Sequence, residues 1–293
     1  MSRLVLAHPR DARLAARLAA ALGAEERVVE ARSFPDGETY LRIDTPCAGR
    51  DVVVTGSLAR PDPAFLPLAF LADAARDLGA SRVVLAVPYL AYMRQDTRFR
   101  PGEAITSRTF ARLVSSTFDS LVTVDPHLHR YRELGEIYSI PTRVVKAAPL
   151  LAAWIRENVK APVLAGPDEE SGQWVSDVAE RAGAPHFVLE KTRRGDRDVE
   201  VSPAEAGRWH GRTPVLVDDI VSTANTMIAA VRQLAAAGLP GAICLGVHAV
   251  FADGAHEQLL AAGASRVVTT DTIEHPTNAV SVIPSLAAAI GSF

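Results

Sequence analysis

The chain has 293 residues, enough for about two domains, and its 48% hydrophobic and 22% charged content excludes wholesale disorder. A formal net charge of −3, from 31 Lys+Arg against 34 Asp+Glu, argues against a broad grip on nucleic acid or an anionic membrane surface. Cys47 and Cys244 carry no CxxC or Cys/His spacing, and neither a signal-peptide core nor an apolar run of ~18 residues is present, so the expectation is a cytoplasmic protein with two buried thiols.

Short β-branched runs alternate with Ala/Leu-rich amphipathic stretches, the pattern of an α/β fold with mostly parallel sheets. In chain order, Leu14, Leu18 and Leu22 share a helix face that Gly23 ends. Buried strands are predicted at 51–55, 82–87, 121–125, 163–166, 214–218, 242–247 and 266–270. Met227, Val231 and Leu234 mark a helix ahead of Gly238.

The sequence echoes itself. Gly79-Ala80-Ser81-Arg82-Val83-Val84 recurs as Gly263-Ala264-Ser265-Arg266-Val267-Val268. The run Asp51–Thr55, followed by a helix ending near Gly79, parallels Pro214–Asp218, followed by a helix ending near Gly238. Two α/β domains of common plan are expected, 1–145 and 146–293, joined where Pro141 and Pro149 flank a short connector.

The sharpest motif is Val215-Leu216-Val217-Asp218-Asp219-Ile220-Val221-Ser222-Thr223-Ala224-Asn225-Thr226. An apolar strand runs into two adjacent acids, then a small hydroxyl-rich loop, then a helix. Loop amides and a helix N-terminus offer donors and partial positive charge to a phosphate. The hydroxyls of Ser222, Thr223 and Thr226 add donors, and the acids accept from ribose hydroxyls or cation-bound water. The plainer reading is an ordinary Asp/Ser/Thr helix cap. Acids at the carboxyl end of a parallel strand favour a ligand site.

This motif resembles the phosphoribosyl-pyrophosphate loop of phosphoribosyltransferase-type folds, and four further segments narrow the likeness. Phe34-Pro35-Asp36-Gly37-Glu38, Pro88–Asp96 continuing to Ile105–Arg108, the pair Asp125-Pro126-His127 and Gly166-Pro167-Asp168, and Leu189–Arg193 resemble, in order, segments of the ribose-phosphate pyrophosphokinase family. The resemblance implies two tandem phosphoribosyltransferase-type domains. It also implies transfer of the β,γ-pyrophosphoryl group of ATP to the C1 hydroxyl of ribose 5-phosphate, with AMP leaving. It implies ATP binding by Phe34, Asp36, Glu38, Arg94, Gln95 and Asp96, and ribose 5-phosphate binding by Asp218, Asp219, Ser222, Thr223, Ala224, Asn225 and Thr226. His127 and Asp168 are implied ligands of Mg2+, with His129 a weaker candidate, and Lys191 and Arg193 are the implied catalytic cations. A homo-oligomer is implied in which the Phe34–Glu38 loop serves a neighbouring subunit's nucleotide site.

On the residues alone, several of these segments have a second reading. Pro35-Asp36-Gly37 is equally a turn. Arg94-Gln95 reads as a surface helix start, Asp168 as a turn residue, His127 as a solvated strand-end histidine, and Lys191–Arg197 as a solvated basic run. Two departures from the family pattern stand in the loop. Ser222 takes the place of a third acid, and Asn225 that of a glycine, where it would tolerate left-handed backbone. Glu169 and Glu170 make the Asp168 segment more acidic than is usual there. The competing functions are a non-catalytic subunit of the same family and a phosphoribosyltransferase. The first half carries Thr55-Gly56-Ser57 where the second carries its acid pair, so only the second is expected to hold ribose 5-phosphate.

Overall fold

The computed structural model describes residues 2–168, 171–189 and 207–293. The chain divides into two units, Met1–Val145 with Val282–Phe293, and Lys146–Ser281. The division at Val145 falls at the expected connector, but the last helix joins the first unit, whereas the sequence reading keeps it with the second.

The first unit is built on a six-stranded parallel sheet of order β2-β1-β5-β6-β7-β8. Its strands are β1 (Arg3–Ala7), β2 (Glu25–Val28), β5 (Asp51–Thr55), β6 (Arg82–Ala86), β7 (Ser120–Val124) and β8 (Thr142–Val145). The four central strands are buried along nearly their whole length, as expected of parallel strands covered on both faces. Helices α1 (Ala12–Leu22), α2 (Asp62–Asp77) and α3 (Thr106–Thr117) connect them. Gly23 ends α1 at φ 59°, the left-handed stop its sequence position predicts. The antiparallel hairpin of β3 (Glu30–Ser33) and β4 (Thr39–Arg42) stands outside the main sheet.

The second unit repeats the plan. Its parallel sheet has the order β10-β9-β11-β12-β13-β14, with β9 (Pro162–Gly166), β10 (His186–Val188), β11 (Thr213–Val221), β12 (Ile243–Ala249), β13 (Arg266–Thr270) and β14 (Asn278–Val280). Counted within its own unit, each sheet has the order 2-1-3-4-5-6, which is what the internal echo in the sequence anticipates. Helices α4 (Ala148–Asn158), α5 (Gly172–Ala182), α6 (Asn225–Ala236) and α7 (Ala255–Ala261) belong to this unit. The predicted face of α6 is the one that is buried: Met227, Val231 and Leu234 pack with Leu216 and Cys244 of the sheet. The final helix, α8 (Ile283–Gly291), packs on α1, β7 and β8 of the first unit.

Both cysteines are buried free thiols, as expected. Among the described residues no helix is long and apolar enough to cross a membrane.

Candidate active site

Ligands of open parallel sheets sit beyond the carboxyl ends of the strands, where the strand order reverses. In the second unit that point lies between β9 and β11, whose ends carry Asp168 and the Asp218–Asp219 pair. Strand β11 runs further than predicted, through both acids to Val221, because Ile220 and Val221 stay in register with His248 and Ala249 of β12. The loop is therefore only Ser222–Ala224. Amides of Phe251 and Ala252 donate to the carbonyls of Val221 and Ser222 at 2.9 and 3.0 Å, fixing its base.

Helix α6 then starts with no side-chain cap, since its N-cap is Ala224. This removes the ordinary-cap reading, for an alanine cannot accept from the first amides, which remain donors for an anion. Ala224 also takes the left-handed conformation, φ 58°, whereas Asn225 is the first helical residue. The sequence reading placed the left-handed demand on Asn225, and the structure moves it one residue back. Ser222 is half-buried, and Thr223, Asn225 and Thr226 are exposed around the helix start.

Burial first, then the neighbouring Asp219 and Asp168 carboxylates, push the Asp218 carboxyl up to about 8. The Asp219 amide donates to Asp218 Oδ1 at 2.9 Å and opposes the shift. Asp168 is held at the end of β9 by Ser171, whose amide donates to Oδ1 at 3.1 Å and whose hydroxyl donates to the Asp168 carbonyl at 2.5 Å. Asp168 thus sits in a turn closed by Ser171. Gly166 is required beside it, because a Cβ there would stand 2.5 Å from Ser171 Oγ. The Asp168 and Asp219 carboxylates thus disfavour the charged form of Asp218, and a nearby cation would relieve that repulsion. Mg2+ takes part of its shell from water and substrate phosphates, so it needs no closed protein cage. Among the described residues no three His, Cys, Asp or Glu side chains are grouped to hold a metal by themselves. Glu169, Glu170, Lys191 and Arg193 lie outside the described residues.

The nucleotide candidates fall on the first unit. Phe34–Glu38 is the tip of the β3–β4 hairpin. It is closed by the Phe34 amide on the Glu38 carbonyl at 2.8 Å and by the Glu38 amide on Asp36 Oδ1 at 3.1 Å, with Gly37 at φ 93°. The segment is a turn that also presents Phe34, 39% exposed, with Asp36 and Glu38 beside it. Arg94 and Gln95 lie in the loop between β6 and α3, which removes the helix-start reading, as α3 begins only at Thr106. Arg94 is exposed and Gln95 half-buried, but Asp96 turns inward and its carboxylate bonds Arg130 Nη1 at 2.8 Å. His127 is half-buried beyond the end of β7, and its ring stacks with that of His129 at 6.3 Å, so the two do share a side.

Among the described residues, three of the four non-glycine residues with positive φ fall in these segments: Tyr92 (61°), Asp125 (27°) and Ala224 (58°). Left-handed backbone is costly for side chains with a Cβ and concentrates at functional sites. Arg130, the positive φ of Asp125 and the left-handed turn at Ala224 are the features that residue-type patterns do not reveal. Only a backbone shows strain, and Arg130 finds its partner 34 residues away.

A twice-used 2-1-3-4-5-6 parallel sheet, with an acid pair at one switch point opening onto an uncapped helix, defines a protein of phosphoribosyltransferase type. The family profile of the N-terminal domain of ribose phosphate pyrophosphokinase matches residues 4–117, and that of the phosphoribosyl transferase domain matches residues 133–283. The chain belongs to the ribose-phosphate pyrophosphokinase family. It is 39% identical over 292 residues to a ribose-phosphate pyrophosphokinase of Methanopyrus kandleri, covering 98% of each chain. It is 37% identical over 283 residues to one of Halobacterium salinarum, covering 94% of this chain and 96% of that one. The crystal structure of phosphoribosylpyrophosphate synthetase from Mycobacterium smegmatis superimposes with a TM-score of 0.85 at 28% identity, over 100% of this chain and 98% of that one.

Proposed function

We propose that the protein transfers the pyrophosphoryl group of ATP to the C1 hydroxyl of ribose 5-phosphate, giving phosphoribosyl pyrophosphate and AMP. The observation that carries this reading is the acid pair Asp218–Asp219 leading directly into the uncapped start of α6. Open amides and the Ser222, Thr223 and Thr226 hydroxyls receive the 5-phosphate, while the carboxylates accept from ribose hydroxyls. A site of this kind orients the C1 hydroxyl and leaves it to attack in line, since phosphoryl chemistry depends on positioning and charge neutralisation.

On the nucleotide side, the exposed Phe34 ring offers a face to the purine, with Asp36 and Glu38 as acceptors for its exocyclic amine. Arg94 and Gln95 take the phosphates and base. His127 and Asp168 are each read as Mg2+ ligands, directly or through water, and a bound ion would supply charge neutralisation at the triphosphate. Lys191 and Arg193 stabilise charge growing on the α-phosphate as AMP departs. The chain acts as a homo-oligomer in which Phe34–Glu38 completes a neighbour's nucleotide site. Mixing inactive Asp219→Ala and Glu38→Ala chains then restores part of the activity. The direct test is incubation of the purified protein with ATP, ribose 5-phosphate and Mg2+. AMP appearing together with phosphoribosyl pyrophosphate supports the reading; a protein that binds both substrates and yields neither product is a non-catalytic subunit.

A further inference from the structure

Asp96 sits in the segment that carries Arg94 and Gln95, yet its side chain is only 2% exposed. A buried carboxylate is stable only with a partner that offsets its lost hydration. Here that partner is Arg130, whose Nη1 donates to Oδ1 at 2.8 Å and so covers the acid from the solvent side. Among the described residues the other oxygen, Oδ2, is buried without a hydrogen-bond partner, 3.8 Å from His129 Nδ1. The Arg130 Nη1 also lies 3.0 Å from His129 Nδ1; a guanidinium has no acceptor, so the imidazole nitrogen accepts.

A second tie runs through the backbone. The Tyr131 hydroxyl donates to the Asp96 carbonyl at 3.2 Å, and Arg108 Nε on α3 donates to that hydroxyl at 3.3 Å. Ser107 Oγ, fully buried, stands 3.4 Å from the same hydroxyl. The Arg130 guanidinium is further steadied over the Phe99 ring, 5.6 Å from its centroid. Residues 94–96, 107–108 and 129–131 are thus bound into one network, and Asp96 is the member that meets the histidine segment through both side chain and backbone.

We propose that Asp96 is a positioning residue: through Arg130 it fixes the 127–131 segment, and with it His127, against the nucleotide segment at Arg94–Gln95. This rests on the pyrophosphokinase reading above. On this proposal Asp96 acts through Arg130 and not, as the resemblance implies, on ATP directly, because an unscreened carboxylate beside a triphosphate is repulsive.

The test compares Asp96→Asn and Arg130→Met in the full chain with the wild type. Calorimetric titration with ATP is run once with Mg2+ and once with a chelator. Displacing the histidine segment weakens binding of the Mg2+ complex by about ten- to a hundredfold, the scale of losing a group that orients a metal ligand. Affinity for metal-free ATP stays within about twofold, since Arg94 and Gln95 are untouched. Amides of residues 127–131 exchange faster in both variants. The double variant loses no more than the worse single one, because both changes break one link. Equal losses with and without Mg2+ overturn the proposal, making Asp96 an ordinary nucleotide ligand or a general stability residue. Unchanged affinities, or losses that multiply in the double variant, also overturn it. Should Asp96→Asn fail to fold, Arg130→Met, altered at a half-exposed side chain, carries the same outcomes. A wild type that makes no AMP overturns the underlying reading; an active wild type with unaffected variants overturns this inference alone.

Discussion

At the switch point of the second sheet, β9 and β11 end in Asp168 and in Asp218–Asp219, and the chain opens onto a helix with no cap. At the same point of the first sheet, β1 and β5 end beside His8 and Gly56–Ser57, and the place of an anion is filled from within. Asp11, buried at the entry to α1, accepts the Ser57 amide on Oδ1 at 2.9 Å and is flanked by Arg10 Nε at 3.4 Å. Burial raises its carboxyl above the ordinary range, while the Ser57 bond and Arg10 hold it back. Gly56 has no room for a Cβ, which would stand 2.9 Å from Leu68 Cδ2 and 3.0 Å from Asp11 Oδ2. One fold used twice thus yields a loop with open donors and a loop whose donor is already satisfied. Topology fixes where a site can be, and a few side chains decide whether it is open.

The largest effects should come from the second unit. Lys191→Ala and Arg193→Ala are each expected to lower kcat by about 10²–10³, with KM for ATP changing far less, because the role proposed for them is on charge that grows only in the transition state. Arg194→Ala and Arg197→Ala serve as controls, and equal small effects at all four positions would return the segment to a solvated basic run. Next, Asp219→Ala should weaken ribose 5-phosphate binding about ten- to a hundredfold by removing a charged acceptor. Titration of the wild type should find one ribose 5-phosphate site per chain. Two equivalent sites would break the contrast between the units.

In the first unit the corresponding change is one of stability. Asp11→Ala leaves the half-buried Ser57 amide without its acceptor, which costs about 1 kcal/mol. For a chain of this size Tm should fall by about 2–4 °C per kcal/mol, with kcat retained. A parallel loss of activity would show that the first switch point takes part in catalysis.

What the sequence made legible follows from how each feature is encoded. Strand 51–55 is read to the residue and the face of α6 correctly, because central parallel strands and amphipathic helices repeat their apolar pattern locally. Edge strands such as β2, with Glu25-Glu26-Arg27-Val28, are too polar to stand out, and β10 and β14 are three residues each. The acid pair is visible because its residues are adjacent. The Asp96–Arg130 pair and the Asp11 plug join residues 34 and 46 apart, and no periodicity records such contacts. Ala224 hides its role because alanine signals helix, whereas here it makes the left-handed turn before one.

A smaller effect tests the electrostatics of the open site. With a folded pKa near 8 against an ordinary 3.8, Asp218 binds more protons in the folded than in the unfolded chain between these values. Its contribution to stability is therefore lost progressively as pH rises from about 4 to about 8. Asp218→Asn should raise Tm by on the order of 2–4 °C at pH 8 and by less at pH 5, in the absence of substrate. Mg2+ should shrink the difference at pH 8 by offsetting the repulsion. A variant no more stable than the wild type at either pH would mean that the three carboxylates do not strain the unliganded site.

The smallest expected effect falls on Ala224. Its φ of 58° places an alanine where the left-handed backbone costs roughly 1–2 kcal/mol relative to glycine. Ala224→Gly relieves that strain but loosens the unfolded chain, which takes back about 0.4–1 kcal/mol, so a net gain of only ~1 kcal/mol or less remains. Calorimetric Tm should rise by no more than about 2–4 °C. No such gain is available at the first switch point, where α2 begins after Pro61 in right-handed conformation with φ −71°. The informative readout is ribose 5-phosphate affinity. An alanine methyl restricts the loop to the shape that aims the α6 amides outward, and glycine lets it sample others. Affinity should then fall a few-fold while Tm rises, an opposite pair of changes that marks strain retained for binding. If affinity and Tm rise together, the left-handed alanine is an accident of the loop and the cradle owes its shape to the β11–β12 register alone.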